Sequence, residues 1–313
     1  MASKRVLAFD FGASSGRAIL ATYADGKIAM QEIHRFSNDP VNLCGTLYWD
    51  VQRLFFEIKQ GITKAVHQGG FDAIGIDTWG VDFGLLDAHG QLVANPVHYR
   101  DERTVGMMEK AYEKVPQQEL YDRTGIQLMR LNTVFQLVSL TEKRPDLLER
   151  AETMLLMPDL LAYFLTGEKY AEYSEVSTTQ MLDPKTGDWA YDLLERLGIP
   201  TRILPKIIDS GTPYGTLRAD ICEELGCPAV PVIAVCTHDT GSAVAAVPSQ
   251  KDDFIYISCG TWSLFGTELK APIINETSRR FNLTNEGGYG RTARMLKNIM
   301  GLWLIQESRR QWI

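Results

Sequence analysis

Cysteine is scarce: the 313-residue sequence holds five, and no two form a C-x-x-C pair. An odd count without paired spacing argues against a disulfide framework. Cys222, Cys227, Cys236 and His238 fall at spacings that match no zinc pattern well. The thiols therefore read as those of a protein in a reducing, cytoplasmic compartment. No apolar run approaches the ~18 residues that cross a bilayer. Met1-Ala2-Ser3-Lys4-Arg5 passes directly into a strand pattern, unlike a signal peptide. No long basic run occurs and the formal net charge is −7, which argues against nucleic acid as the main partner. With 45% hydrophobic and 23% charged residues, disorder and collagen-like repeats are excluded. The length is about two domains' worth, enough for a core that needs no staples.

What is present begins as a β-meander. Strands are expected over Val6–Phe11, Ala18–Tyr23 and Ile28–Phe36, with turn chemistry at 12–16 and a hairpin turn at Asp25-Gly26. Val51, Leu54, Phe55, Ile58, Ile62 and Ala65 then follow helical spacing. Phe71–Thr78 reads as a strand, and Leu85-Leu86 and Leu92-Val93 flank a second hairpin turn. From about 104 to 200 the pattern is mostly helical. Thr104 is a candidate cap, Asn132-Thr133 opens a helix that must stop before Pro145, and Trp189–Leu197 closes on Gly198. Residues 209–216 read as a Gly/Pro-rich loop, 231–236 as a short buried strand and 242–247 as a small-residue helix. A strand–turn–strand follows over 254–269, and 294–313 reads as one amphipathic helix.

Three segments carry chemistry. Gly12-Ala13-Ser14-Ser15-Gly16-Arg17 joins two strands with small residues that let backbone N–H groups and hydroxyls approach an anion. It lacks the Gly-Lys-Ser/Thr ending of a Walker loop. A strand rather than a helix follows it, unlike a dinucleotide fingerprint. What remains is a hairpin-type phosphate loop, with Asp10 suited to hold Mg²⁺ through water and Arg17 to face phosphate oxygens. The alternative is a plain turn with a solvated arginine. Thr237-His238-Asp239-Thr240 lies where a strand meets a helix. An ionised Asp239 there can accept a proton from a hydroxyl attacking phosphorus; the alternative is an N-cap beside a buried histidine. Asp77-Thr78-Trp79-Gly80-Val81-Asp82 has the composition of a carbohydrate site, an aromatic face beside polar groups, or of a core Trp at a strand end. Asn285-Glu286-Gly287-Gly288 and Leu296-Lys297-Asn298 are weaker, each compatible with a loop or an exposed helix face.

Taken together, FGASSGR, GIDTWGVDF, HYRDERT, THDTGSA, GTWSLFG, NEGG and LKNIMGLWL, in that order from Val6 to Ile305, resemble the FGGY carbohydrate kinases. The resemblance implies an α/β fold of the actin-like (RNase-H-like) type, two domains closing on a cleft. It implies ATP and Mg²⁺, a small-molecule sugar as partner, and phosphoryl transfer from ATP to the 1-hydroxyl of L-rhamnulose. Ala13, Ser14, Ser15, Gly16 and Arg17 would border the ATP phosphates, with Thr261 and Gln306 also at ATP. Gly80, His238, Asp239, Thr240 and Asn298 would lie against the sugar, with Asp239 as proton acceptor. Alternatives are a related kinase for another ketose or polyol, an actin- or Hsp70-like ATPase, and a non-catalytic sugar-binding fragment.

Residues 9–15 and 257–263 echo each other as strand, Gly-plus-hydroxyl turn and returning strand. If the echo marks a duplication, a comparable second half would need roughly 170 further residues. The sequence ends at Gln311-Trp312-Ile313 without a cap signal, and the family's adenosine-binding glycine motif has no counterpart in it. The expected organisation is thus an N-terminal domain over 1–240 and the incomplete beginning of a C-terminal domain over 241–313. An exposed apolar face is expected on the last helix and on the 254–269 hairpin.

Overall fold

The computed structural model describes residues 3–251 and 253–312, so Met1, Ala2 and the expected helix end at Ile313 lie outside the described residues. Burial alternates along β1 (Lys4–Phe11) and β2 (Ser15–Ala24), which form an antiparallel meander with the largely exposed β3 (Lys27–Ser37). Asp25 and Gly26 both take positive φ at its second turn, the twist that a two-residue hairpin requires. In α1 (Val51–His67), Asp50 caps the first turn by accepting from the Arg53 amide, and Val51, Leu54, Ile58, Ile62 and Ala65 are buried. The remaining elements that frame the site are β4 (Ala73–Thr78), α2 (Thr133–Lys143), α3 (Met157–Thr166), α4 (Tyr173–Thr178), β5 (Pro213–Thr216), β6 (Pro231–Ile233) and α5 (Asp239–Ala245). The chain continues through β7 (Tyr256–Cys259), β8 (Trp262–Leu269), β9 (Thr284–Gly287), β10 (Ala293–Met300) and α6 (Trp303–Trp312).

The first sheet has the order β5-β6-β4-β1-β2-β3, with β1, β4 and β6 parallel. A three-strand meander continued by parallel strands is the actin-like, RNase-H-like arrangement that the resemblance implies. The second sheet, β7-β8-β10-β9, is antiparallel throughout. Its own core is small, built on Val244, Tyr256, Leu264 and Leu296. Ile255, Ile257, Phe265, Leu304, Ile305 and Trp312 are exposed, the apolar face expected on the hairpin and last helix. Among the described residues no helix is long and apolar enough to cross a membrane.

Several local expectations need correction. Residues 294–300 form strand β10, not the start of a helix. Met295, Ile299, Leu302 and Trp303 satisfy helical spacing, but eight register pairs with β8 and four with β9 decide the conformation. Gly301 then separates strand from helix, where a Cβ would fall 2.6 Å from the Trp262 backbone. Residues 284–287 are likewise a buried strand, and 297–298 lie in β10, so neither is a loop or exposed helix face. Residues 213–216 form an edge strand, where Pro213 is tolerated at the first position. Thr104 caps nothing: it ends a 3-10 turn capped by Asp101, and the next helix starts after Gly106. Asn132 precedes α2, but its amide donates to Gln127 O and Gln180 Oε1 instead of capping. Strand Phe83–Leu86 closes a turn with Leu92-Val93 through the Val93 amide, yet its main partner is Thr153–Leu156.

Gly61 marks the closest approach of α1 to the sheet. A Cβ there would lie 2.5 Å from the Phe9 ring and 3.0 Å from the Ala18 Cβ. Alanine is the better helix former by about 1 kcal/mol, whereas overpacking a rigid core costs about 1–3 kcal/mol. Gly61→Ala is therefore expected to destabilise the fold. A urea midpoint at or above the wild-type value would show that the ring moves freely.

Candidate active site

The carboxyl ends of β1, β4 and β6 point to one place, where open α/β sheets gather ligands. Register sets Asp10 beside Asp77 and Phe11 beside Thr78. The Thr78 amide donates to Thr237 O at 2.9 Å, and Thr78 bridges His238. These ends open on a cavity of about 390 Å³ lined by residues of both sheets.

The first hairpin contributes Asp10, Ala13, Ser14, Ser15 and Arg17 to the cavity wall. Gly12 N bonds Ser15 O, and buried Asn38 donates its amide to Gly12 O, which fixes the turn. Arg17 Nε donates to Asp10 Oδ2 at 2.8 Å. Gly16 is the one expected site residue off the wall. Its Cα faces Phe36, where a Cβ would meet the ring at 2.3 Å, so its role is to let β2 pass the ring.

The segment after β4 forms another wall. Gly80 lies against Thr178. Val81 adopts φ of 71°, unusual for a β-branched residue. Its amide donates to Thr178 Oγ1, and its carbonyl accepts from Thr133 Oγ1 and Gln136 Nε2. Asp82 is fully buried. Its Oδ2 accepts from Trp49 Nε1 (2.6 Å), Trp79 Nε1 (3.1 Å) and the Tyr99 amide (3.1 Å), and its Oδ1 from Gln136 Nε2. Burial nevertheless raises its pKa to about 6. Trp49 packs on Trp79 at 3.9 Å and stacks on His98 at 4.1 Å; burial pulls His98 down to about 3. Trp79 is thus both a core residue and part of the cavity wall.

Asp239 opens α5 in the cavity with 36% of its side chain accessible. Burial raises its pKa, more than the nearby His238 and the Thr240 donors lower it. Thr240 donates to Asp239 Oδ1 from both amide and hydroxyl. The preceding Thr237 is held by Glu172, whose Oε2 accepts from the Thr237 amide and hydroxyl.

The second sheet faces this wall. Thr261 lines the cavity from the β7–β8 turn, Asn298 from β10 and Gln306 from α6. The Asn298 amide donates to Gln127 Oε1 at 3.0 Å. Arg294, with no exposed surface, donates from Nε to Gly287 O and places Nη2 2.9 Å from His238 Nδ1. Glu286 Oε2 lies 3.4 Å from both. Burial alone would raise the Glu286 pKa; the charge of the Arg294 guanidinium helps to hold it below the ordinary value. The sequence did not point to Gln127, Glu172 or Arg294. The polar Thr284–Asn285–Glu286 run inside a buried strand is a signal for Glu286 alone.

No group of three or more metal-ligating side chains occurs among the described residues. One carboxylate plus water fits the Mg²⁺ habit, and Asp10 is half-exposed at the wall. Asp77, behind it, is buried with Oδ1 unpartnered, and its pKa stands well above normal through burial and the charges of Asp10 and Asp239. That crowding of carboxyls suits a nearby cation. The five thiols are all free.

Residues 5–246 match the model of the FGGY family of carbohydrate kinases, N-terminal domain, and residues 255–313 match that family's C-terminal domain. The chain is 45% identical over 307 residues to a rhamnulokinase of Oceanobacillus iheyensis, covering 98% of this chain and 65% of that protein. It is 43% identical to a rhamnulokinase of Bacteroides thetaiotaomicron, covering 97% and 63%. The chain therefore spans just under two thirds of the length of these relatives. Among solved structures, a ligand-bound xylulose kinase from Lactobacillus acidophilus superposes with a TM-score of 0.85 at 18% identity, over 99% of this chain and 63% of that one. Plasmodium falciparum glycerol kinase with ADP gives 0.81 at 15% identity, over 97% and 63%. At such identities the likeness is one of fold.

Asp82 gives this wall a pH signature. Its pKa is about 6 in the fold and about 3.9 in an unfolded chain. The folded state therefore holds the proton longer, and the Asp82 contribution to stability, full below pH ~4, is lost as pH rises to ~6. Asp82→Asn removes the titration and turns an amide toward Gln136 Nε2. Urea titrations should show the variant less stable at pH 4.5, by about 2 kcal/mol, with the gap narrowing at pH 7.5. A gap that widens with pH would contradict this.

Proposed function

The chain belongs to the FGGY family of carbohydrate kinases, and from that premise we propose that it transfers the γ-phosphoryl group of ATP to the 1-hydroxyl of L-rhamnulose, in the cytoplasm. Domains over 1–240 and from 241 onward would supply the sugar and nucleotide sides. The observation that carries this reading is the convergence of Asp239, the Trp79–Val81 wall and two Gly-plus-hydroxyl hairpins on one cavity. A hydroxyl nucleophile, its proton acceptor and a phosphate cradle are what this reaction needs within reach of each other.

Asp239 takes the proton of the attacking hydroxyl. A carboxylate is a weak base for a sugar hydroxyl, so proton transfer is late and alignment dominates. Burial, by raising the Asp239 pKa, makes it a better acceptor. Gly80, His238, Thr240 and Asn298 bind the sugar hydroxyls. Backbone and hydroxyl groups of Ala13, Ser14 and Ser15, with Gly16 shaping the turn, hold phosphate oxygens from one side; Thr261 and Gln306 approach ATP from the other. Arg17 neutralises charge on the transferring group. Asp10 would hold Mg²⁺ through water, and the ion bound with ATP would screen the phosphate oxygens. The 43–45% identity of the relatives named rhamnulokinase supports L-rhamnulose above other ketoses.

The test is ADP release with Mg-ATP and a panel of L-rhamnulose, L-fuculose, D-xylulose and glycerol. L-Rhamnulose should give the highest kcat/KM, falling on the acid side with an apparent pKa above the ordinary carboxylate range. Asp239→Asn should lower kcat about a thousandfold while sugar affinity, read by calorimetry, changes less than about threefold. More than about a tenth of wild-type turnover in that variant would remove Asp239 from the role of base.

A further inference from the structure

His238 has two nitrogens and two kinds of neighbour. Nδ1 faces the second sheet: Arg294 Nη2 stands at 2.9 Å and Glu286 Oε2 at 3.4 Å. Nε2 faces Asp239 Oδ1 at 3.4 Å. The ring is nearly buried, and its backbone amide donates to Ser174 Oγ. These neighbours decide the tautomer. Guanidinium is a donor with no acceptor site, so a hydrogen bond of 2.9 Å to it requires a bare Nδ1. The longer approach to Glu286 would instead need a proton on Nδ1, directed at the same side as the Arg294 donors.

Arg294 is itself well placed to dictate the outcome. Its side chain has no exposed surface, and Nε is tied to the Gly287 carbonyl. Glu286 balances its charge from the neighbouring strand, and Tyr256 packs near it from β7. The guanidinium cannot swing away without leaving buried charges unpaired.

We infer that Arg294 is a positioning residue that fixes His238 as the Nε2–H tautomer, making the imidazole a one-way hydrogen-bond donor beside Asp239. His238 then cannot compete with Asp239 for the proton of an incoming hydroxyl; it offers a hydrogen to an oxygen held between them. In its bearing on sugar binding, this rests on the sugar-kinase reading above. The second sheet thereby sets the chemistry of a residue at the end of the first.

The direct test is the tautomer itself, read in the wild-type 313-residue chain from long-range ¹H–¹⁵N correlations of its imidazole rings. There are five histidines, and a His238→Gln spectrum identifies the ring concerned. The expected pattern is an unprotonated Nδ1 and a protonated Nε2 at pH 7. A protonated Nδ1, or protons on both nitrogens, overturns the inference. Arg294→Gln should shift the ring toward Nδ1–H, directed at Glu286, and weaken L-rhamnulose binding about tenfold, the loss of one hydrogen bond. Glu286→Gln, which leaves the arginine in place, should keep the Nε2–H tautomer. A flipped tautomer in Glu286→Gln would assign control to the carboxylate and overturn the inference even if Arg294→Gln does not fold. Absence of L-rhamnulose binding in the wild type would count against the proposed function while leaving the tautomer result standing.

Discussion

Glu172 is the buried acceptor on which the geometry of the cleft depends. Its Oε2 accepts from Ser174 N and Oγ, Glu175 N and Thr237 N and Oγ1, and its Oε1 accepts from Ser210 Oγ. Burying a carboxylate is costly unless it is hydrogen-bonded, and this concentration of donors, most of them 2.5–3.1 Å away, supplies the compensation. Three distant stretches of chain are joined as a result: the start of α4, the loop before β5 and the residue two before Asp239. The Thr237 carbonyl then accepts from Thr78 at the end of β4. A single acceptor thus couples the Gly80–Val81 wall to the start of α5. Glu175 and Asp159, buried beside it, lack this supply of donors, and burial lifts both well above the ordinary carboxylate range. Burial thus works against charge on the carboxyls that surround this one hydrogen-bonded acceptor.

The same logic governs the cavity. Asp10, Asp77 and Asp239 converge on a place read as the seat of phosphates, which three full negative charges would oppose. Asp77 resolves the conflict by burial: it is driven toward the neutral form by desolvation first and by its two neighbours second. Arg17 offsets Asp10. The field in the cavity is set by which carboxyls are solvated, more than by how many are present.

Elements whose information is local were legible in the sequence. The β1–β2 hairpin follows from alternation, its continuation into β3 from an Asp-Gly turn, and α1 from its stripe and the Asp50 cap. The candidate site was legible where small and polar residues gather at strand ends, as in 12–17, 77–82 and 237–240, segments that line one cavity. Long-range pairing was not. β10 carries residues that satisfy both periods, and only its partners on either side select the strand, which sets Arg294 against His238 and Asn298 on the cavity wall. Glu172, Gln127 and Arg294 are ordinary polar residues in sequence. Each matters through a partner 56 to 171 positions away, a relation that spacing cannot encode. Thr104 failed as a cap because Asp101 is better placed: a carboxylate one residue before the turn accepts from the Arg103 amide.

Val81 shows how strain and recognition are joined in this wall. A β-branched residue at positive φ costs roughly 1–3 kcal/mol. Its three hydrogen bonds, at roughly 0.5–1.5 kcal/mol net each, are of the size needed to hold it there. The benefit is geometric. The reversal at Val81 brings Asp82 back beneath Trp79, close enough for Trp79 Nε1 to reach its carboxylate. Trp49 then completes the pair from the other side. Without the reversal, consecutive extended residues would point Trp79 and Asp82 to opposite faces, and the indole would have no buried acceptor. The strained backbone is therefore what converts a strand end into a rigid aromatic wall, with Gly80 free to lie against whatever enters the cavity.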